Sequence, residues 1–212
     1  MTAKVKICGV TRVDDAAHAS AAGADFIGIN FWNGSKRYVQ PSEAPPLVAA
    51  ARAAGGAQIV GLFVDADRRA VAAVMRQVEL DIIQLHGDES PRDVAAIATA
   101  ANRPVWKAIA VATPRDVERL EAWPADALVL DAATPGRGGS GVRFDWAIAR
   151  EACARYPARR FVLAGGVVAD NVGEAIATVR PWAVDVASGV ESSPGIKDEA
   201  KVDAFLAAVR GA

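Results

Sequence analysis

Three polar side chains sit within or at the end of apolar, strand-like runs: Cys8 closes Val5-Lys6-Ile7-Cys8, Asp131 closes Leu128-Val129-Leu130-Asp131, and Asp185 lies inside Ala183-Val184-Asp185-Val186. A thiolate accepts a proton and a carboxyl donates one, so a Cys and an Asp facing one ligand could move two protons in a single rearrangement. Side chains two apart on a strand share a face, which puts Lys6 roughly 7 Å below Cys8, where a cation favours the thiolate. By the same parity Asp185 points inward. Because an isolated buried charge is costly, Lys6 and Asp185 are expected to pair beneath the thiol. Asp131, after three apolar residues, is expected at the rim of an apolar interior that disfavours a carboxylate, a setting that would suit it to general-acid work. Each residue also has a plainer reading, Asp131 as a capping aspartate and Cys8 as a small buried hydrophobe, as Cys153 inside the helix pattern EACARY is expected to be.

A second set of residues could hold a ligand. Gly165-Gly166 and Ser188-Gly189 each follow a strand-like run, and glycine-bearing loops offer backbone N–H groups to a phosphate. Turning the chain from strand to helix would also account for them. Arg37, in FWNGSKRYVQP, supplies a planar fork suited to a carboxylate, or is simply solvated together with Lys36. His86 ends QLH and is a weaker ligand candidate. GRGGSG, residues 136–141, formally matches G-x-G-x-x-G, but it lies late in the chain and no acidic residue closes the next strand. It is read instead as a mobile lid, with Gly139 against the substrate. Two histidines, two distant cysteines and no C-x-x-C spacing disfavour a zinc site, and a disulfide is not expected.

These residues must be positioned by elements, and the pattern for them is repetitive. Strand-like runs at 4–8, 26–30, 58–64, 82–86, 105–111, 127–131, 161–166 and 183–187 alternate with helical patterns such as DRRAVAAVMRQVE and EAKVDAFLAAVR. Ser90-Pro91 and Thr113-Pro114 mark helix starts. Eight βα units without a linker predict a single-domain (β/α)₈ TIM barrel over residues 1–212, with a doubly wound open sheet as the alternative. In such a barrel the ligand lies at the C-terminal strand ends, with phosphate favoured at the loops after strands 7 and 8.

Composition narrows the partners. The 212 residues carry a net charge of −1 and are 52% hydrophobic, without a basic block, so nucleic acid is an unfavoured partner. No apolar run reaches membrane-spanning length and the N-terminus carries charge in its first turns, so the expectation is a cytoplasmic protein without membrane contact, a monomer or weak homodimer acting on a small phosphosugar.

KICGVTR, FWNGSKRYV, QLHGDE, LVLDAATPGRGGSG with FDW, LAGGVVADNV and DVASGVESSPGIKD occur in order between residues 4 and 198. Together they resemble phosphoribosylanthranilate isomerase. The resemblance implies a cofactor-free, metal-free Amadori rearrangement of N-(5′-phosphoribosyl)anthranilate to 1-(2-carboxyphenylamino)-1-deoxyribulose 5-phosphate, in tryptophan biosynthesis. It implies Cys8 as general base at C2′, Asp131 as general acid at the ring oxygen, and Arg37 at the anthranilate carboxylate. Two positions depart from the family pattern, Ala187 for a serine and Ala132 for Ser or Thr, and both remove a hydroxyl. That puts affinity more than reaction type in question. Other phosphosugar barrel enzymes, or a phosphate-binding module without catalysis, are the remaining alternatives.

Overall fold

In a computed structural model, which describes residues 2–132 and 145–212, eight parallel strands close into a barrel in the order β1 to β8. They are β1 (Lys4–Cys8), β2 (Phe26–Asn30), β3 (Gln58–Phe63), β4 (Ile82–Leu85), β5 (Val105–Val111), β6 (Ala127–Ala132), β7 (Arg160–Leu163) and β8 (Ala183–Val186). The alternating units make this a TIM barrel, as the eight-fold pattern predicts. Four strands end sooner than expected: β3 at Phe63, β4 at Leu85, β7 at Leu163 and β8 at Val186. His86 and Gly165-Gly166 therefore stand on the loops just beyond the ladder.

Helices α1 (Val13–Ala21), α2 (Ala44–Ala54), α3 (Arg68–Met75), α4 (Pro91–Ala101), α5 (Pro114–Glu118), α6 (Trp146–Arg155), α7 (Ala169–Val179) and α8 (Glu199–Arg210) follow their strands. The start of α4 shows why the chain turns there: Ser90 and Asp93 cap each other across the first turn, and Pro91 supplies a fixed φ. The stretch TPRDVERLEAW forms only a short α5, which starts on the Thr113–Asp116 capping pair and ends at Arg119, followed by a 3-10 turn at Leu120–Ala122. Pro194-Gly195 punctuates the segment between β8 and α8. The structure has a hairpin there, β9 (Glu191–Ser193) and β10 (Ile196–Lys197).

Strand parity divides the core in two. Outward residues such as Ile7, Ile27, Ile59, Ile83, Leu128 and Val184 pack under the helices, and inward ones such as Phe26, Val60, Ile82, Trp106, Val129 and Val162 form a separate cluster within the ring. Phe26, Trp106 and Trp182 contact one another edge-on or tilted, with ring centroids 4.9–5.6 Å apart. The lower part of the barrel is thus plugged by aromatic rings, whereas Gln84, His86, Asp131 and Asp185 line the cavity at the other end.

Candidate active site

Inward parity stacks Lys6 under Cys8 on β1 and brings Asp185 beside Lys6, its register partner on β8. The Lys6 amine is fully buried and donates to both carboxylate oxygens of Asp185, at 2.9 and 3.0 Å. This is the pair expected from the sequence. Burial works against the charge on Lys6, but Asp185 and Cys8 outweigh it and raise its pKa. Gly28, facing these groups from β2, leaves them room: a Cβ there would lie 3.0 Å from both the Cys8 sulfur and the Lys6 amine.

The expected activation of the thiol requires correction. Burial pushes the Cys8 thiol up; Lys6 pulls it back down only in part, and the Asp185 carboxylate adds to the rise. The amine sits where the sequence placed it, yet desolvation by the closed ring wins.

One cavity of about 600 Å³ at the C-terminal end of the barrel is lined by Cys8, Arg37, His86, Asp131, Gly165, Gly166, Asp185, Ser188 and Gly189. The thiol and the carboxyl therefore face the same space, together with both glycine loops. Gly165 and Gly166 have φ of +83° and +70°, a backbone path that favours glycine, and the Asn171 side chain fixes the turn by donating to Gly166 O and accepting from Val168 N. A 3-10 turn at Ser188–Val190 carries the other loop. Ala187, one of the two departures, keeps a role through its backbone: its carbonyl accepts from Lys197. Gly139 and the 136–141 lid lie outside the described residues.

Arg37 is held differently from a free fork. Its Nε and one terminal nitrogen each donate to Glu191, both at 2.7 Å. Only the remaining edge of the guanidinium is left for a ligand, so recognition through the edge that Glu191 occupies is excluded. Glu191 is in turn steadied by Lys197, whose amine donates to Glu191 Oε1 at 2.8 Å, Cys8 O at 2.6 Å and Ala187 O at 3.2 Å. Three acceptors satisfy three ammonium protons and bind the hairpin to the ends of β1 and β8. Burial alone would raise the Glu191 pKa; hydrogen bonds from Arg37 and Lys197 overcome it and hold the carboxyl below its usual value.

His86 continues the inward face of β4, its backbone N–H bonded to Phe63 O at 2.8 Å. Its Nε2 lies 3.3 Å from Asp131 Oδ2, and Gln84 Nε2 lies 3.2 Å from its Nδ1. The turn after His86 is anchored by Lys107, which donates to Gly87 O and Glu89 Oε2. Sequence reasoning missed Gln84, Glu191 and Lys197. Parity along Ile82-Ile83-Gln84-Leu85-His86 could have found Gln84; nothing local links Arg37 to Glu191, 154 residues away.

A closed parallel barrel with a thiol, a carboxyl and two glycine loops around one rim cavity defines a class, the (β/α)₈ enzymes that act at the C-terminal strand ends. A family model described as N-(5′phosphoribosyl)anthranilate (PRA) isomerase matches residues 5–208. A relative from Thiobacillus denitrificans named N-(5′-phosphoribosyl)anthranilate isomerase is 45% identical, covering 97% of each chain. The crystal structure of phosphoribosyl anthranilate isomerase from Thermotoga maritima is 37% identical over 99% of this chain and 100% of that one, with a TM-score of 0.88. Another isomerase structure, in complex with reduced 1-(o-carboxyphenylamino)-1-deoxyribulose 5-phosphate, is 34% identical with a TM-score of 0.83, covering 99% of this chain and 100% of that one. This chain belongs to the N-(5′-phosphoribosyl)anthranilate isomerase family.

Proposed function

We propose that this chain converts N-(5′-phosphoribosyl)anthranilate to 1-(2-carboxyphenylamino)-1-deoxyribulose 5-phosphate in tryptophan biosynthesis, as a single catalytic barrel, with Asp131 as acid and Cys8 as base. The observation that carries the assignment is the sharing of one cavity by Cys8, Asp131 and both glycine loops. The phosphate rests on the loops at Gly165-Gly166 and Ser188-Gly189, which fixes the pentose between sulfur and carboxyl. Asp131 gives its proton to the ring oxygen; the C1′–O bond breaks and its electrons go to that oxygen, leaving an iminium at C1′. The cationic iminium acidifies C2′, so the Cys8 thiolate can take the C2′ proton and form an enolamine. The enolamine then tautomerises to the ketone. The free edge of Arg37 takes the anthranilate carboxylate, and Asp185, already paired with Lys6, borders the sugar. Cys8 must remain a free thiol for this, which favours a reducing compartment such as the cytoplasm.

Freshly made substrate, followed by its anthranilate fluorescence, tests the assignment. Cys8→Ser and Asp131→Asn are each expected to lower kcat by about 10²- to 10⁴-fold with the fold intact. Equal turnover by all three proteins would refute it.

A further inference from the structure

Gln84 is fully buried, lines the same cavity as Asp131 and lies beneath His86 on the inward face of β4. Its Nε2 is a donor only, so the contact with His86 Nδ1 makes Nδ1 an acceptor. A neutral imidazole then carries its proton on Nε2, and Nε2 is the atom 3.3 Å from Asp131 Oδ2. The amide oxygen of Gln84 has no hydrogen-bond partner among the described residues, although it is buried. A buried acceptor left unmatched is costly, and Leu or Met would fill the space without that cost. The N–H₂ end is the part of the side chain that meets His86.

We propose that Gln84 and His86 are positioning residues for the acid step: Gln84 sets the His86 tautomer, and the His86 Nε2–H faces Asp131 to stabilise the carboxylate formed as the proton leaves. This rests on Asp131 being the acid. In the step itself the Asp131 proton passes to the ring oxygen, the C1′–O bonding pair goes to that oxygen, and the negative charge remains on Asp131. His86 loses and gains no proton. It supplies an N–H dipole aimed at charge that develops only as the bond breaks, so its effect falls on kcat and not on ground-state binding. A contact of 3.3 Å before substrate binds can shorten as charge builds.

The experiment follows the tautomer and the chemistry separately. The chain has two histidines, so ¹⁵N-histidine labelling gives two ring spin systems. His18, whose Nε2 lies 2.9 Å from Asp203, is assigned by His18→Gln. In the wild type, His86 is expected to show a pyridine-type Nδ1 and a protonated Nε2. Gln84→Met, nearly isosteric but without the donor, is expected to give a mixture of tautomers and a kcat lower by about 10-fold, with KM and far-UV circular dichroism little changed. His86→Gln, which can place an amide N–H near the Nε2 position, is expected to retain most of kcat, whereas His86→Leu loses about 10- to 100-fold. A protonated Nδ1 in the wild type would overturn the proposal, as would a wild-type kcat for Gln84→Met or equal losses for His86→Gln and His86→Leu. Full activity of Asp131→Asn would remove the acid assignment instead, and the ¹⁵N spectrum would still report whether Gln84 sets the tautomer.

Discussion

At the scale of single residues, the opposition between burial and charge around Cys8 is the feature that governs reactivity. Since burial raises the thiol pKa and Lys6 only partly lowers it, the thiolate fraction is small near neutrality and grows with pH. The limb of kcat that depends on the base is therefore expected to rise with pH on the alkaline side. Lys6→Met removes the neighbour that pulls the thiol down while leaving Asp185, which pushes it up, so the limb should move to higher pH. An unmoved limb would separate Lys6 from thiol activation. The same substitution leaves a carboxylate without its partner at a buried position, and urea unfolding is expected to show a loss of about 3–5 kcal/mol, smaller in Lys6→Met/Asp185→Asn.

At the scale of elements, the β9–β10 hairpin carries Glu191 and Lys197 across the ends of β1 and β8 to clasp Arg37 from the β2–α2 loop. Glu191 has a folded pKa below its ordinary 4.5, so the clasp's contribution to stability is fully present above that value and is lost as pH falls through the folded pKa. Glu191→Gln is expected to flatten stability against pH in that acid window, measured by urea titration at a series of pH values. It should also loosen Arg37, raising KM for the anthranilate substrate by about 10-fold while changing kcat less, because one charge-assisted contact is weakened. A change in kcat alone would place the clasp's effect in the chemistry instead of in carboxylate binding.

At the scale of the whole molecule, ring closure separates a plugged lower half from a reactive upper rim. Trp106, packed on Phe26 and Trp182 inside the ring, belongs to the plug. Trp106→Ala is expected to cost about 3–5 kcal/mol in urea unfolding, with kcat of the folded fraction near wild type since the cavity lining does not include it. A proportional loss of kcat would show that the plug and the rim are coupled.

The sequence by itself determined what depends on neighbours along the chain. A side-chain period of two is a local property of extended backbone, so Lys6 under Cys8, Asp185 facing inward and the eight βα units were all legible, as was the placing of Cys8, His86 and Asp131 at the end of the barrel where ligands bind. The pairing of Lys6 with Asp185 needed one further premise, that strand 8 meets strand 1, and the closed sheet supplies it. Tertiary structure alone decided that Glu191 takes one edge of Arg37, because residues 154 apart are brought together only by hairpin and barrel packing. It also decided the direction of the Cys8 pKa. That direction is a balance between one nearby cation and the water excluded by the whole ring, and a cost summed over many surrounding groups is written in no single motif.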